Sequence, residues 1–367
     1  MTERRRFIAT AGGLVAAAAA TAIVEAPGVI AQPKIQWRMS TAFPPALDMH
    51  HGAALALARI VEETSGGRFR IEVFPAGQIM GPFDCFDAGS EGKIEAFMAG
   101  SYYWTDLKRE PAFEWFSTIP FGMNADGMAA WFHQGDGLRL WEEAYAPFNL
   151  VPRPGPSVAP QMAGWFRKKL GTIGDYKGLK MRIGTGLGGR VYVKAGGTAV
   201  LTPGGEIFAA LERGVIDAAE WVGPHDDMKL GLHNTARYYY YPGWHEPGTV
   251  VEFAFNKKAY EALPADLRYT LDHAVAAVSV YGLTDFHAKN ALALSRLKAD
   301  FSGKVEVVQI PAPVLGDLKK LAGEVAREES EKTPMARKVH ASFTRFESLV
   351  GPWDPVAEGA YHRLVAG

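Results

Sequence analysis

From residue 35 onward the chain switches repeatedly between two apolar periodicities. Ile35-Gln36-Trp37-Arg38-Met39 alternates as a strand does, and Pro44-Pro45 break the pattern. Leu57, Ile60, Val61 and Thr64 then recur at helical spacing. Gly66-Gly67 supply a stop, and Phe69-Arg70-Ile71-Glu72-Val73 alternates again. The three segments together predict a βαβ unit.

Two later stretches resemble each other. Ala88 to Ala96 and Ala210 to Ala218 each read as a helix end, a glycine (Gly92, Gly214), then Ile-acid-Ala opening a strand. The glycine suits the left-handed position that closes a helix. The recurrence predicts two α/β lobes of related design, with strands running toward Ser101-Tyr102-Tyr103-Trp104 in one and Glu220-Trp221-Val222-Gly223-Pro224 in the other. Ligands bind outside the carboxyl ends of strands in open α/β sheets, so both loops should face one cleft. The second lobe reads as βαβαβ, with strands at 179–183, 199–201 and 215–220 and helices near 189–195 and 205–213. Thr249–Asn256 alternates as a strand returning to the first lobe. Pro264–Asp300 is helical throughout, interrupted only by Gly282, and one helix of that length would run about 55 Å at roughly 1.5 Å per residue, enough to lie across both lobes. A further helical region covers about Val314 to Glu347. No low-complexity linker intervenes, which predicts a clamshell: lobe one over 32–155, lobe two over 156–248, and the return strand, spanning helix and C-terminal helices over 249–367.

Composition adds exclusions. The chain has 367 residues, with 39 Lys and Arg against 40 Asp and Glu, and 48% hydrophobic residues. That is ordinary globular usage, long enough for about two domains. Near-neutral charge and the lack of a basic run beyond the first residues argue against a nucleic-acid partner. The first 31 residues stand apart. Arg4-Arg5-Arg6-Phe7-Ile8 precedes an alanine-rich run from Gly12 to Val24 and small residues before Ala31-Gln32, the layout of a signal peptide, with a twin-arginine look. Its removal takes three arginines and two glutamates, leaving the mature chain at net −2. The expected location is the periplasm. No later run reaches about 18 uncharged apolar residues. Cys85, the single cysteine, cannot form an internal disulfide and reads as a small buried hydrophobe at a helix start.

Few chemical motifs stand out. Gly184-Thr185-Gly186-Leu187-Gly188-Gly189 fits G-x-G-x-x-G after a strand, but a nucleotide fold also needs an acid about 20 positions on at the end of the next strand. Glu206 and Glu212 fall in a helix instead. An exported oxidoreductase using this loop is the rival reading. Arg182 ends a strand just before the loop, where a guanidinium could hold a carboxylate through two parallel hydrogen bonds; periodicity alone favours an outward, solvated arginine. Gln161 opens the half-apolar stretch Gln161–Arg167 and offers both donor and acceptor, with a structural amide as the default. Glu220 ends an otherwise apolar strand and needs a partner if buried, for which a cation would serve. His225-Asp226-Asp227 read as solvated acids at a helix start. Trp244-His245-Glu246 follow four tyrosines, and Glu246 could add an oxygen ligand. Tyr102-Tyr103-Trp104 could wall a ligand or simply pack.

Taken together, Gln161–Phe166, Gly178–Gly184, Ala210–Asp227 and Tyr238–Glu246 resemble the substrate-binding subunits of tripartite ATP-independent periplasmic (TRAP) transporters, the DctP family, and within it the α-keto-acid receptors. The resemblance runs through nearly all of the mature chain. It implies an α/β, two-lobe periplasmic-binding-protein fold, class II-like, with a long helix spanning both lobes. It implies a non-catalytic receptor for a small 2-oxo carboxylic acid such as pyruvate, bound with Na⁺ or Ca²⁺ and delivered to membrane permease subunits. Arg182 would clamp the carboxylate and Tyr102 or Tyr103 would hydrogen-bond it. Gln161 would contact both the substrate and the cation, while Glu220, the main-chain oxygen of Trp221 and Glu246 would hold the cation. The family also suggests a homodimer exchanging C-terminal helices. One position departs from the expected pattern: His245 stands where a second tryptophan is expected.

Overall fold

The computed structural model describes residues 34–107, 110–184 and 186–365. The signal-peptide reading of residues 1–31 lies outside them. Eleven strands form among these residues: β1 (Ile35–Thr41), β2 (Phe69–Phe74), β3 (Ala96–Ala99), β4 (Leu150–Ser157), β5 (Gly164–Phe166), β6 (Lys180–Arg182), β7 (Thr198–Val200), β8 (Ala218–Ala219), β9 (Tyr238–Tyr241), β10 (Val250–Asn256) and β11 (Glu306–Gln309). The helices are α1 (His50–Thr64), α2 (Cys85–Ser90), α3 (Ala125–Gln134), α4 (Gly137–Tyr145), α5 (Leu187–Lys194), α6 (Ile207–Glu212), α7 (Pro224–Lys229), α8 (Lys257–Glu261), α9 (Ala265–Asp300), α10 (Ala312–Ser330), α11 (Pro334–Val350) and α12 (Glu358–Val365).

The strands make two sheets, ordered β2-β1-β3-β10-β4 and β11-β9-β5-β8-β6-β7. In the first, β1 pairs parallel with β2 and β3, which is the expected βαβ unit, while β10 returns antiparallel between β3 and β4. In the second, β6 is parallel to both β7 and β8, giving the βαβαβ motif. Neighbouring residues of a strand point to opposite faces, and the core follows that rule. Phe97, Ala254, Ala218 and Tyr240 join one apolar cluster, while Met98, Phe253, Ala219 and Tyr239 join another. Each cluster draws residues from both sheets. Helices cover both faces, so β10 is buried along its whole length and reads as an apolar run.

The two matching helix ends behave as expected, with Gly92 and Gly214 in the left-handed region at φ 73° and 71°. Cys85 is fully buried at the first residue of α2, and burial pushes its thiol pKa up. The 36-residue α9 packs on β4 and α1 and also on α7, so it crosses from one sheet's surroundings to the other's.

Several boundaries differ from the expectation. Only Ala218–Ala219 of 215–220 is strand, because the N–H groups of Val215 and Ile216 close the end of α6 on Ala210 O. β5 starts at Gly164, not Gln161, since the Gln161 peptide bonds to the 243–246 turn instead of a strand neighbour. Ser101–Leu107 is a 3₁₀ turn. The helical region after Val314 is two helices: Pro334 starts α11, and Thr333 caps it by accepting from the Ala336 N–H at 3.0 Å. The short strand β11 was not foreseen in the C-terminal third; it extends the second sheet beside β9.

Candidate functional site

Three strands, one from the first sheet and two from the second, deliver the candidate side chains at their carboxyl ends. β3 leads through Gly100 into the Ser101–Leu107 turn carrying Tyr102 and Tyr103, β6 ends on Arg182, and β8 runs straight into Glu220-Trp221. The ladder continues past β8, with the Glu220 N–H donating to Arg182 O at 3.0 Å, so Arg182 and Glu220 are fixed side by side. The remaining pair comes from a distant segment. The Gln161 N–H donates to Glu246 O at 3.1 Å, and Gln161 O accepts from the Gly243 N–H at 2.9 Å.

Arg182 is 2% exposed, which overturns the solvated reading that its strand periodicity favours. Its Nη1 donates to Glu220 Oε1 at 2.5 Å and to Glu220 O at 3.0 Å, its Nε donates to Thr202 O at 3.1 Å, and the guanidinium stands 4.8 Å from the Trp221 ring centre. Glu220 Oε1 also accepts from the Gly184 N–H. Burial, the largest single influence, raises the Glu220 pKa, but the Arg182 charge, His245 and the Gly184 N–H together outweigh it and hold the carboxyl below its ordinary range. Glu246 is the opposite case: burial first, then the charge of Glu220, lifts it to about 7. Its Oε2 accepts from Gln161 Nε2 at 2.5 Å and Thr249 Oγ1 at 2.7 Å.

His245 joins this group. One ligand-type atom from each of Glu220, His245 and Glu246 lies within 4.8 Å of the others, and all three residues are buried. The His245 Nε2 to Glu220 Oε2 distance is 3.7 Å, too long for a hydrogen bond. Gln161 Oε1, Glu220 Oε2 and both His245 ring nitrogens are buried without a hydrogen-bond partner. Buried polar atoms are normally paired, and a cluster of unpaired oxygens and a ring nitrogen beside two carboxyls is the donor set a cation requires.

Tyr102, Tyr103, Gln161, Arg182 and Trp221 line one small void. Both loops expected to face one cleft do so. Glu220 and Glu246 do not line the void; they sit behind it, against Arg182 and Gln161. The first-lobe wall is aromatic and uncharged: burial pushes the Tyr103 hydroxyl up to about 12 and Tyr102 well above its usual value. The glycine loop closes on the same wall. A Cβ on Gly184 would lie 2.9 Å from Glu246 Oε1 and 3.0 Å from the Tyr102 ring. Its glycine is needed for packing, and β7 ends without an acid, so the nucleotide reading has no support.

The reading of His225-Asp226-Asp227 as solvated acids is wrong. Asp226 and Asp227 are fully buried. Asp227 Oδ2 accepts from Trp165 Nε1 and the Tyr239 hydroxyl, both at 2.8 Å, and Oδ1 accepts from the Val222 and Gly223 N–H groups at 3.1 Å. It thus holds the strand end that carries Glu220 and Trp221. An acid four residues after a helix-opening Gly-Pro step was the available signal, since such acids reach back to free N–H groups. Asp226 Oδ2 lies 2.9 Å from Nδ1 of His50, a lining residue on α1 that no sequence pattern marked. Nearby, Asp48 gathers His225, Lys229 and Lys289 at 2.9 to 3.1 Å, tying the start of α1 to α7 and α9.

An α/β shell of two sheets enclosing a small void, with an aromatic wall on one side and a charged wall on the other, defines a solute-binding protein. The chain matches bacterial extracellular solute-binding protein family 7, DctP, over residues 39–333, and it belongs to that family. It is 37% identical over 334 residues to a monocarboxylate 2-oxoacid-binding periplasmic protein of Nostoc sp., covering 91% of this chain and 90% of the relative. A TRAP transporter solute-binding protein from Bordetella bronchiseptica, a mixed-occupancy dimer with copurified calcium and picolinate, superposes with a TM-score of 0.87 at 36% identity, over 91% of this chain and 97% of that one. A TRAP periplasmic solute-binding protein from Pseudoalteromonas atlantica with bound sodium and pyruvate gives a TM-score of 0.85 at 34% identity, over 90% and 99%.

Proposed function

We propose that the mature chain is a periplasmic receptor that binds a small 2-oxo monocarboxylate such as pyruvate together with a cation and hands it to TRAP permease subunits. The observation that carries this reading is Arg182. Its Nε and Nη1 are committed to Thr202 and Glu220, while its side chain lines the void, so the guanidinium is held rigid and its remaining edge faces a ligand carboxylate. Gln161, Glu220, the Trp221 main-chain oxygen and Glu246 would hold the cation, and Tyr102 and Tyr103 would hydrogen-bond the acid from the first lobe. The bound cation supplies positive charge that both the acid's oxygens and the buried carboxyls need. An oxo acid can offer such an ion a carboxylate oxygen and its keto oxygen together. Na⁺ in one relative and Ca²⁺ in another support a cation bound together with the acid.

Closure follows from geometry. A ligand that touches Arg182 and Tyr103 at once makes both contacts only when the lobes, bounded near 155/156 and 248/249, are together, so binding shifts the population toward the closed form. Export by the twin-arginine signal over residues 1–31 belongs to the same proposal. So does a homodimer: α12 and the turn before it leave Trp353, Val356, Tyr361, Leu364 and Val365 exposed, an apolar arm that a second copy would cover. Calorimetric titration of the mature protein with pyruvate, longer 2-oxo acids and lactate, with and without Na⁺ or Ca²⁺, tests the ligand. Cation-dependent binding of a 2-oxo acid is expected; no binding of any of them under any ion overturns the assignment.

A further inference from the structure

We infer that His245 is itself a cation ligand, so that the site in this chain prefers a first-row transition ion such as Zn²⁺ or Co²⁺ over Na⁺ or Ca²⁺. The inference rests on the proposed oxo-acid reading and names the cation of the same site.

His245 is 1% exposed and has no hydrogen bond at either ring nitrogen. A neutral imidazole buried in apolar packing normally gives its N–H to some acceptor, and an ionised one would bond the adjacent carboxylate directly. Neither has happened. Nε2 stops 3.7 Å from Glu220 Oε2, and that oxygen is also without a hydrogen-bond partner. Two such atoms can be satisfied at once by one ion between them. Ligands on a tetrahedral ion at roughly 2.0–2.2 Å sit about 3.4 Å apart, within a few tenths of the observed separation. Glu246 completes the group within 4.8 Å.

The donor types then select the ion. Carboxylates and carbonyls alone suit Na⁺, Mg²⁺ or Ca²⁺, whereas an imidazole nitrogen in the shell favours Zn²⁺, Co²⁺ or Ni²⁺. Charge adds a separate selection, for a divalent ion over Na⁺. Once a bound cation holds both Glu220 and Glu246 ionised, with Arg182 charged and a monoanionic ligand, the buried set carries two excess negative charges, which a divalent ion cancels and a monovalent ion does not. Local packing holds the ring in place: the His245 Cβ lies against Gly188, where a side-chain Cβ would come within 3.2 Å, and the ring meets the Trp244 ring edge-on. The imidazole is therefore presented by a fixed turn.

The test uses untagged, metal-stripped mature protein. Co²⁺ titrated alone should bind one equivalent with visible d–d absorption bands. By calorimetry Zn²⁺ or Co²⁺ should bind at least about 100-fold more tightly than Ca²⁺. His245→Gln should weaken Co²⁺ about 10- to 100-fold and alter the bands, while changing Ca²⁺ binding less than about threefold. His245→Trp, which keeps a ring of the expected family size, serves as the second variant, and thermal melts confirm that both fold. Equal or tighter binding of Na⁺ or Ca²⁺, or Co²⁺ bands that survive His245→Gln unchanged, overturns the inference. Because Co²⁺ is titrated without acid, imidazole-dependent Co²⁺ binding alongside no pyruvate binding under any ion would sink the oxo-acid reading and leave the ligand role of His245 standing.

Discussion

Asp227 and Glu246 are both fully buried carboxyls of the second lobe, and burial lifts the pKa of each to about 7. What their surroundings provide sets them apart. Asp227 has four donors around its two oxygens and holds the 220–224 loop in place. Glu246 and its neighbour Glu220 have donors on some oxygens, yet the group retains unpaired atoms on Glu220, Gln161 and His245. Burial and a shifted pKa therefore do not distinguish a structural acid from a ligand-binding one in this protein; the gathering of unpaired atoms from three residues, Gln161, Glu220 and His245, does. Glu252 in the first sheet shows a third solution. Its Oε1 accepts from Trp104 Nε1 at 2.8 Å, Oε2 has no hydrogen-bond partner, and burial pushes its pKa to about 8, so it stays neutral at pH 7 and needs no cation.

The sharpest way to break this comparison is Arg182→Ala. It removes the guanidinium facing the void and strands Glu220 in the interior. Affinity for the oxo acid should fall by about 1000-fold or more, and stability should fall by about 3 kcal/mol. Arg182→Lys keeps a charge beside Glu220 but has one nitrogen where the guanidinium has three, so it cannot bond Thr202, Glu220 and a ligand at once; it should retain most of the stability and still lose about 100-fold in affinity. Calorimetry paired with urea unfolding separates the two effects, and wild-type affinity in Arg182→Lys would refute the clamp.

Asp227→Ala should invert the pattern. Losing one acceptor group leaves four buried donors without a partner, so the cost falls on stability, about 3 to 5 kcal/mol, with ligand affinity reduced only about tenfold through the loosened loop. If affinity collapsed while stability held, Asp227 would belong with the binding acids.

Glu252→Gln tests the neutral acid and has the smallest effect on ligand binding. The folded protein keeps the Glu252 proton up to about pH 8, whereas the unfolded chain loses it near 4.5. The stability tied to that proton is thus fully present below pH 4.5 and is lost as pH rises through 8, at roughly 1 kcal/mol per pH unit. Gln is neutral throughout, so the variant should gain on wild type between pH 5 and pH 8 in urea melts. A constant difference across that range would show that Glu252 is ionised in the fold.

Much of this architecture was legible in advance because local patterning reports it directly. The strand from Ile35, the helix after it, the glycine-closed helix ends and the Pro264–Asp300 helix all rest on periodicity and turn chemistry within a few residues. Arg182, Glu220 and the two tyrosines were also placed at strand ends. Periodicity misled at Arg182 and at Asp226-Asp227 for one reason: it shows which positions are apolar and says nothing about what covers the polar ones.

The sequence by itself determined the opening βαβ unit, the two glycine-closed helix ends, the long helix near 264–300, and the residue types available at the strand ends. Tertiary structure alone decided that Gln161 meets Glu246 across 85 positions, that His245 lies beside Glu220, and that Trp165 reaches Asp227 across 62 positions. These are contacts between segments far apart in the chain. Their strength comes from burial and from which buried atoms find partners, and both quantities exist only once the sheets have been assembled.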